Sequence, residues 1–122
     1  MRAGKFYETI LALLGEEEYS CEDFTHLKFR IINQALAMCL SAHNTILKSR
    51  NEKTLSSFAP VVKDSDEIPL QDNMALEVAA NYAAALLCSD RDRDKANVLS
   101  GMADEARRKY SMANFININN SY

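Results

Sequence analysis

The sequence predicts an all-α fold, a small helical bundle of about four helices with an extended loop or hairpin insertion and an extended C-terminal arm. Three observations carry this reading. Only three glycines and two prolines occur in 122 residues, which favours helices over a turn-rich β fold. Apolar residues recur at helical spacing through most of the chain. The stretch from Asn73 to Tyr110 joins an alanine-rich, almost wholly apolar segment, NMALEVAANYAAALLCS, to an amphipathic one, DRDKANVLSGMADEARRKY. A helix with so little polar surface must be enclosed by other helices or by other subunits.

A chain of this length is one domain by size, and it buries roughly two-thirds of its unfolded surface. It therefore needs neither disulfides nor a metal to fold. Residues 1–110 form the bundle, residues 49–70 an insertion within it, and residues 111–122 the arm.

The first helix is expected over about Lys5 to Leu14, with Phe6, Ile10, Leu13 and Leu14 on one face. Gly15 stands where a C′ glycine ends a helix. The acidic run Glu16-Glu17-Glu18 follows as a solvated loop ahead of the next helix start, where negative charge is favourable.

Ser20 reads as the N-cap of the second helix, with Asp23 at the third helical position in place of the usual capping-box Glu or Gln. Tyr19 and Phe24 occupy the two positions of a hydrophobic staple. This helix runs to about His43 or Lys48 and carries two apolar stripes. One is Phe24, Leu27, Ile31, Ala35 and Met38. The other is Phe29, Ile32, Leu36, Leu40 and Leu47. Their centres lie roughly 120° apart, so burial on two sides is expected. Arg30, Asn33, Gln34, Ser41 and Asn44 share the remaining face.

Residues 49–70, SRNEKTLSSFAPVVKDSDEIPL, break the helical pattern and hold both prolines, Pro60 and Pro69. Thr54–Val62 and Glu67–Leu70 read as short extended arms, with a turn at Lys63-Asp64-Ser65-Asp66. So long an insertion in a small helical domain is either functional or a flexible surface loop.

The third helix starts near Asp72 or Asn73, both good caps, and ends near Cys88. Leu76, Val78, Tyr82, Leu86 and Leu87 supply bulk. Ala75, Ala79, Ala80, Ala83, Ala84 and Ala85 allow close backbone approach. The fourth helix starts near Asp92, with Ala96, Leu99, Met102, Ala103, Ala106 and Tyr110 on one face. Asp104/Arg108 and Glu105/Lys109 are i,i+4 pairs in the favourable orientation. Arg107, Arg108 and Lys109 fall in its last turn, where they complement the dipole. The remainder, SMANFININNSY, has no helical period and reads as disordered or as an extended arm. Its apolar anchors Phe115, Ile116 and Ile118 favour the arm.

Composition gives no support for an enzyme. The formal charge of −3 comes from mixed signs, without the basic stripe of a non-specific nucleic-acid binder. A helical DNA-binding reading would rest on Arg91, Arg93, Arg107, Arg108 and Lys109. Cys21, Cys39 and Cys88 are odd in number and widely spaced, as expected of reduced cytosolic thiols. Cys39 and His43 stand at helical spacing for a shared metal. A structural zinc needs four ligands, though, and only Cys21, His26 and Cys88 remain to complete it. Buried thiols are the simpler reading. Asp90, Asp92 and Asp94 imitate the opening of a calcium loop, but Lys95 and Gly101 stand where glycine and a carboxylate are required. Those acids read as a cap and first turn instead. No cofactor is expected. The N-terminal stretch reads as a helix rather than a signal peptide, since Glu8 interrupts its apolar part and no small-residue cleavage site follows. No apolar run approaches the ~18 residues of a membrane span.

The order of segments has a counterpart. A short helix ends in LLGEEEYS, and a capped helix carries FRIINQALAMCL. A proline-bearing insertion ends in DEIPL. The alanine-rich ALEVAANYAAALLCSD and the charged DKANVLSGMADEARRKY follow. Over roughly residues 5 to 110 this resembles the head–tail connector, or adaptor, proteins of tailed bacteriophages, also called head-completion proteins. The resemblance implies a structural virion protein, made in the host cytoplasm and placed at the head–tail junction. It implies a homo-oligomeric ring, typically dodecameric, bound beneath the portal protein. Such a ring extends the channel for packaged DNA without reading its sequence, and docks a tail or second connector protein. It also implies that the insertion and the C-terminal segment reach neighbouring chains. The interface residues would then be Thr54, Leu55, Phe58, Val61, Val62, Ile68, Phe115, Ile116, Ile118 and Tyr122. The alternative reading is a small helical cytosolic module for protein–protein interaction or regulation.

Overall fold

The computed structural model describes residues 1–15 and 27–120, with side chains through Tyr110. The helices are α1 (Ala3–Leu14), α2 (Lys28–Met38), α3 (Leu40–Ser49), α4 (Asp72–Met74), α5 (Ala80–Cys88) and α6 (Arg93–Asn120), with a π-helical turn over Ala75–Ala79 joining α4 to α5. Among the described residues there is no strand, and the all-α class holds.

The centre of the fold is α5. All its residues except Leu86 are buried, and it packs against α1, α2 and α6. The alanines explain how. Ala80, Ala83 and Ala84 are fully buried, so neighbouring helices approach its backbone where larger side chains would hold them off. Phe6, Ile10 and Leu14 from α1, with Ile32 and Leu36 from α2, supply the large side chains that fill the space around it. One chain thus encloses the apolar helix by itself.

Helix α1 begins at Ala3, ahead of the expected Lys5, because the insertion supplies its missing acceptors. The Ala3 N–H donates to the Asp66 carbonyl (2.8 Å) and the Gly4 N–H to the Asp64 carbonyl (3.1 Å). Helix starts leave such donors unpaired. Here backbone carbonyls do the work of a capping side chain. The approach is close: a Cβ on Gly4 would lie 3.3 Å from the Asp64 Cβ. At the other end Gly15 adopts φ 69° and its N–H bonds to the Leu11 carbonyl, as its sequence position predicts. The Lys95 ammonium donates to the Leu14 carbonyl, bringing a cation to the negative end of the helix dipole.

The expected start of the second helix, with Ser20, Asp23, Tyr19 and Phe24, lies outside the described residues, as do Cys21 and His26. The helix is not continuous to Lys48. At Cys39 the backbone tightens, its N–H bonding to the Leu36 carbonyl, and α2 gives way to α3. One buried face nevertheless continues across the break, through Ile31, Ile32, Ala35, Leu36, Cys39, Ala42 and Ile46. Leu27 and Met38, from the first expected stripe, are 40% and 42% exposed, so that stripe is only half covered.

Further corrections concern the last two expected helices. Gln71 occupies the N-cap of α4 and makes no side-chain cap bond, so neither Asp72 nor Asn73 caps it. Asp92 does cap α6: its carboxylate accepts from the Lys95 N–H at 3.0 Å. The Glu105–Lys109 pair forms (3.8 Å), but Asp104 pairs with Arg107 (3.4 Å) rather than with Arg108. The extended C-terminal arm is replaced, as far as Asn120, by helix. No glycine or proline interrupts residues 111–120, so nothing in the backbone chemistry stops α6 after Tyr110. Arg107, Arg108 and Lys109 are therefore mid-helix residues, not last-turn partners of the dipole.

Close packing around α5 makes a test of the fold. Ala84→Leu is expected to destabilise the chain by about 1–3 kcal/mol through overpacking. The readout is the urea unfolding midpoint.

Candidate interaction surface

Residues 50–70 leave α3 and return along the outside of the bundle. The turn begins at Asn51, the one described non-glycine residue with positive φ, 58°, a conformation asparagine tolerates better than most. The expected turn at 63–66 is present. The Asp66 N–H bonds to the Lys63 carbonyl (3.0 Å), and the Asp66 carboxylate accepts from the Val62 (2.9 Å) and Lys63 (3.2 Å) N–H groups. The two flanking arms do not pair with each other.

The first arm pairs with asparagine side chains instead. The Asn44 amide donates to the Leu55 carbonyl (2.8 Å) and accepts from the Leu55 N–H (2.9 Å). The Asn33 amide does the same to Val61, at 2.9 Å in both directions. Each side chain offers a donor and an acceptor side by side, as a neighbouring strand would. Asn33 and Asn44 are about three turns apart, so both lie on one face of α2–α3. The segment between the clamps spans roughly 20 Å if extended, close to the roughly 16 Å between the asparagines along a helix. It therefore runs as a strap, antiparallel to α3 and α2. Between the clamps the Phe58 ring packs on His43, with centroids 5.2 Å apart and planes tilted by 59°.

The second arm pairs with the N-terminal segment. The Ile68 N–H donates to the Met1 carbonyl (2.8 Å), and Arg2 and Glu67 form an isolated antiparallel bridge. Lys28 fastens the corner. Its ammonium lies 2.7 Å from the Asp64 carboxylate and over the rings of Tyr7 (5.1 Å) and Phe29 (5.2 Å).

The expected interface residues divide accordingly. Val61 and Ile68 are 2% and 4% exposed and belong to this chain's own core, which removes them as partner contacts. Phe58 is half-buried on His43. Thr54, Leu55 and Val62 are exposed. No side-chain position is described for Phe115, Ile116 and Ile118, and Tyr122 lies outside the described residues. Asn33 and Asn44 carry the clamps, whereas helical spacing places them only on the face left between the two apolar stripes. The signal for them was two asparagines three turns apart, opposite a non-helical segment whose backbone amides lack a strand.

A second polar group crosses α5 and α6. The Tyr82 hydroxyl donates to the Asp104 carboxylate, and the Arg107 guanidinium lies 5.9 Å from the Tyr82 ring centre. Burial, then the bond to Asp104, pushes the Tyr82 pKa up to about 12. Burial likewise pushes Cys39 up to about 12, with Arg107 pulling weakly the other way. A thiol so strongly held in its protonated form is a poor nucleophile. The Tyr110 hydroxyl donates to Glu77 (3.1 Å), and burial followed by this bond raises its pKa to about 12. These contacts fasten the α5–α6 hairpin. Among the described residues no group of three or more His, Cys, Asp or Glu is placed to hold a metal. No helix among them is long and apolar enough to cross a membrane.

No family model, characterised protein or solved structure matches the chain.

Removing a clamp leaves a backbone N–H and carbonyl without their partners, part-buried at Val61 and exposed at Leu55. Asn33→Ala is expected to cost about 1–3 kcal/mol, and Asn44→Ala, at the exposed end, less. Both are expected to speed tryptic cleavage after Lys53 while the helical circular-dichroism signal persists. His43 gives a pH test. Burial is the largest influence and lowers its pKa from 6.5, with Glu52 opposing and Arg50 adding to the shift. The unfolded chain therefore takes up a proton that the folded one resists. This contribution to stability is complete above pH 6.5 and is lost as pH falls below it towards the folded pKa. The urea midpoint should fall from about pH 7.5 to about pH 5.5, and His43→Leu should shrink that fall.

Proposed function

We propose that the chain is a structural subunit of a tailed-bacteriophage particle, a head–tail adaptor that assembles as a ring beneath the portal. The observation that carries this reading is a set of large apolar side chains at the surface of a bundle whose own core is already closed. Val98 and Met102 are 62% and 51% exposed, one turn apart on α6. Leu76 joins Met102 along one groove, and Leu27 and Met38 stand exposed at the two ends of α2. Grouped apolar exposure of this kind is typical of surfaces that meet another protein. The order of segments described above supports the particular identity.

In this reading the ring docks the next tail component and continues the channel for packaged DNA. A chain of net charge −3 has no general attraction for phosphate. The closed core favours a second reading, an autonomous helical module that binds a cytosolic partner through the same surface. Electron microscopy of the chain mixed with portal protein separates the two. The adaptor reading expects a ring seated on the portal. A chain that binds neither portal nor any other virion component would contradict it. Val98→Asp and Met102→Asp together are expected to abolish the ring while leaving the unfolding midpoint within about 1 kcal/mol of the parent.

A further inference from the structure

We propose that the α2–α3 face beneath residues 51–61 is a receptor for an extended peptide from another protein, and that the chain's own strap is its resident, displaceable occupant. This inference is independent of the assembly described above.

Recognition at this face is by backbone. Asn44 and Asn33 bond the carbonyl and N–H of Leu55 and Val61 at 2.8–2.9 Å, contacts that any residue except proline can make. Two such clamps fix the direction and register of a bound segment without demanding its sequence. Peptides that add to a sheet edge are held by the same chemistry.

The resident segment fills the site incompletely. A cleft of about 350 Å³ remains between strap and helices, lined by Leu36, Ala37 and Leu40 on one side and by Ser56, Ser57 and Phe58 on the other. The two serines leave open a space whose helix side is apolar apart from the Asn33 amide, which is already bonded to Val61. The His43 Nδ1 is buried beside the Phe58 contact and has no hydrogen-bond partner. The site thus offers a largely apolar hollow that its own segment does not fill.

The strap is also built to leave. Residues 51–57, 59 and 60 are exposed, so its side-chain anchorage is Phe58 and Val61. Few buried contacts and solvent-exposed hydrogen bonds mark a segment that opens at low cost. Asn51, in the left-handed region, is the hinge at one end, and the turn at 63–66 closes the other.

The fitting partner is therefore an extended protein segment. It has free N–H and carbonyl groups at the Leu55 and Val61 positions, and a large apolar side chain where the strap has serine. Binding requires the strap to open, so apparent affinity scales with the open fraction.

Fluorescence anisotropy tests this with two labelled peptides spanning residues 52–63, one of native sequence and one carrying Ser57→Leu. The proteins are the full chain, its Leu55→Pro variant, and Leu55→Pro combined with Asn44→Ala. Leu55→Pro removes the N–H that Asn44 accepts from and leaves the receptor face intact. The Ser57→Leu peptide is expected to bind Leu55→Pro about tenfold more tightly than it binds the full chain. It should also bind more tightly than the native peptide, and lose affinity about fivefold or more on adding Asn44→Ala. Phe58→Ala serves as a second way to loosen the strap should Leu55→Pro fail to fold, as judged by circular dichroism. Absence of saturable binding to a folded, loosened chain would overturn the proposal. So would binding indifferent to Asn44→Ala, or equal affinity for the two peptides.

Discussion

The burial of α5 is the constraint on which the rest of this structure depends. A helix of alanines offers little area per residue, so it contributes only if neighbouring backbones come close and larger side chains reach across it. Phe6, Ile10, Leu14, Ile32 and Leu36 do this from α1 and α2, and α6 closes the remaining side through Ala96, Leu99 and Ala103. The polar contacts follow from the same arrangement. Tyr82, Asp104 and Arg107 fix α6 against α5 at one level, and Tyr110 holds α6 to Glu77 of the π turn at another.

With the helices so placed, the insertion is left with backbone amides and no sheet to receive them. Buried amides must be paired, and the chain meets this with side chains on one arm and with the N-terminal segment on the other. Asn33 and Asn44 take the first arm. Met1 takes the second through Ile68, and the Asp64 and Asp66 carbonyls of the turn between the arms satisfy the first donors of α1, on Gly4 and Ala3. The insertion is thus both the cap of one helix and the cover of two others. Its buried residues, Val61, Ile68 and Leu70, join the common core.

Much of this was legible from residue chemistry. Gly15 ends α1, Asp92 starts α6, and the turn at 63–66 falls where its polar residues stand, because each depends on local bonding only. What was not legible depends on partners distant in sequence. Asn33 and Asn44 look like solvent-facing residues until the strap lies over them. Asp72 and Asn73 are good caps by type, yet the chain enters the helix from Gln71, one residue earlier. The π turn over Ala75–Ala79 leaves no mark in the sequence ALEVA. Alternating asparagine and apolar residues after Tyr110 suggested an extended arm, but without a breaker the backbone stays helical to Asn120. Of the two enclosures the apolar helix allows, other helices or other subunits, this chain supplies the first. The assembly proposal therefore rests on the exposed apolar residues instead.

The central claim is that the core of the bundle is complete in a single chain. The most direct measurement is the urea unfolding midpoint of the Val98→Asp, Met102→Asp chain, in which assembly through the outer surface is removed, across a wide range of protein concentration. A core closed by α1, α2, α5 and α6 of one chain gives a midpoint independent of concentration, since unfolding is then unimolecular. A midpoint that rises with concentration, as mass action requires when neighbours complete the core, would contradict the account.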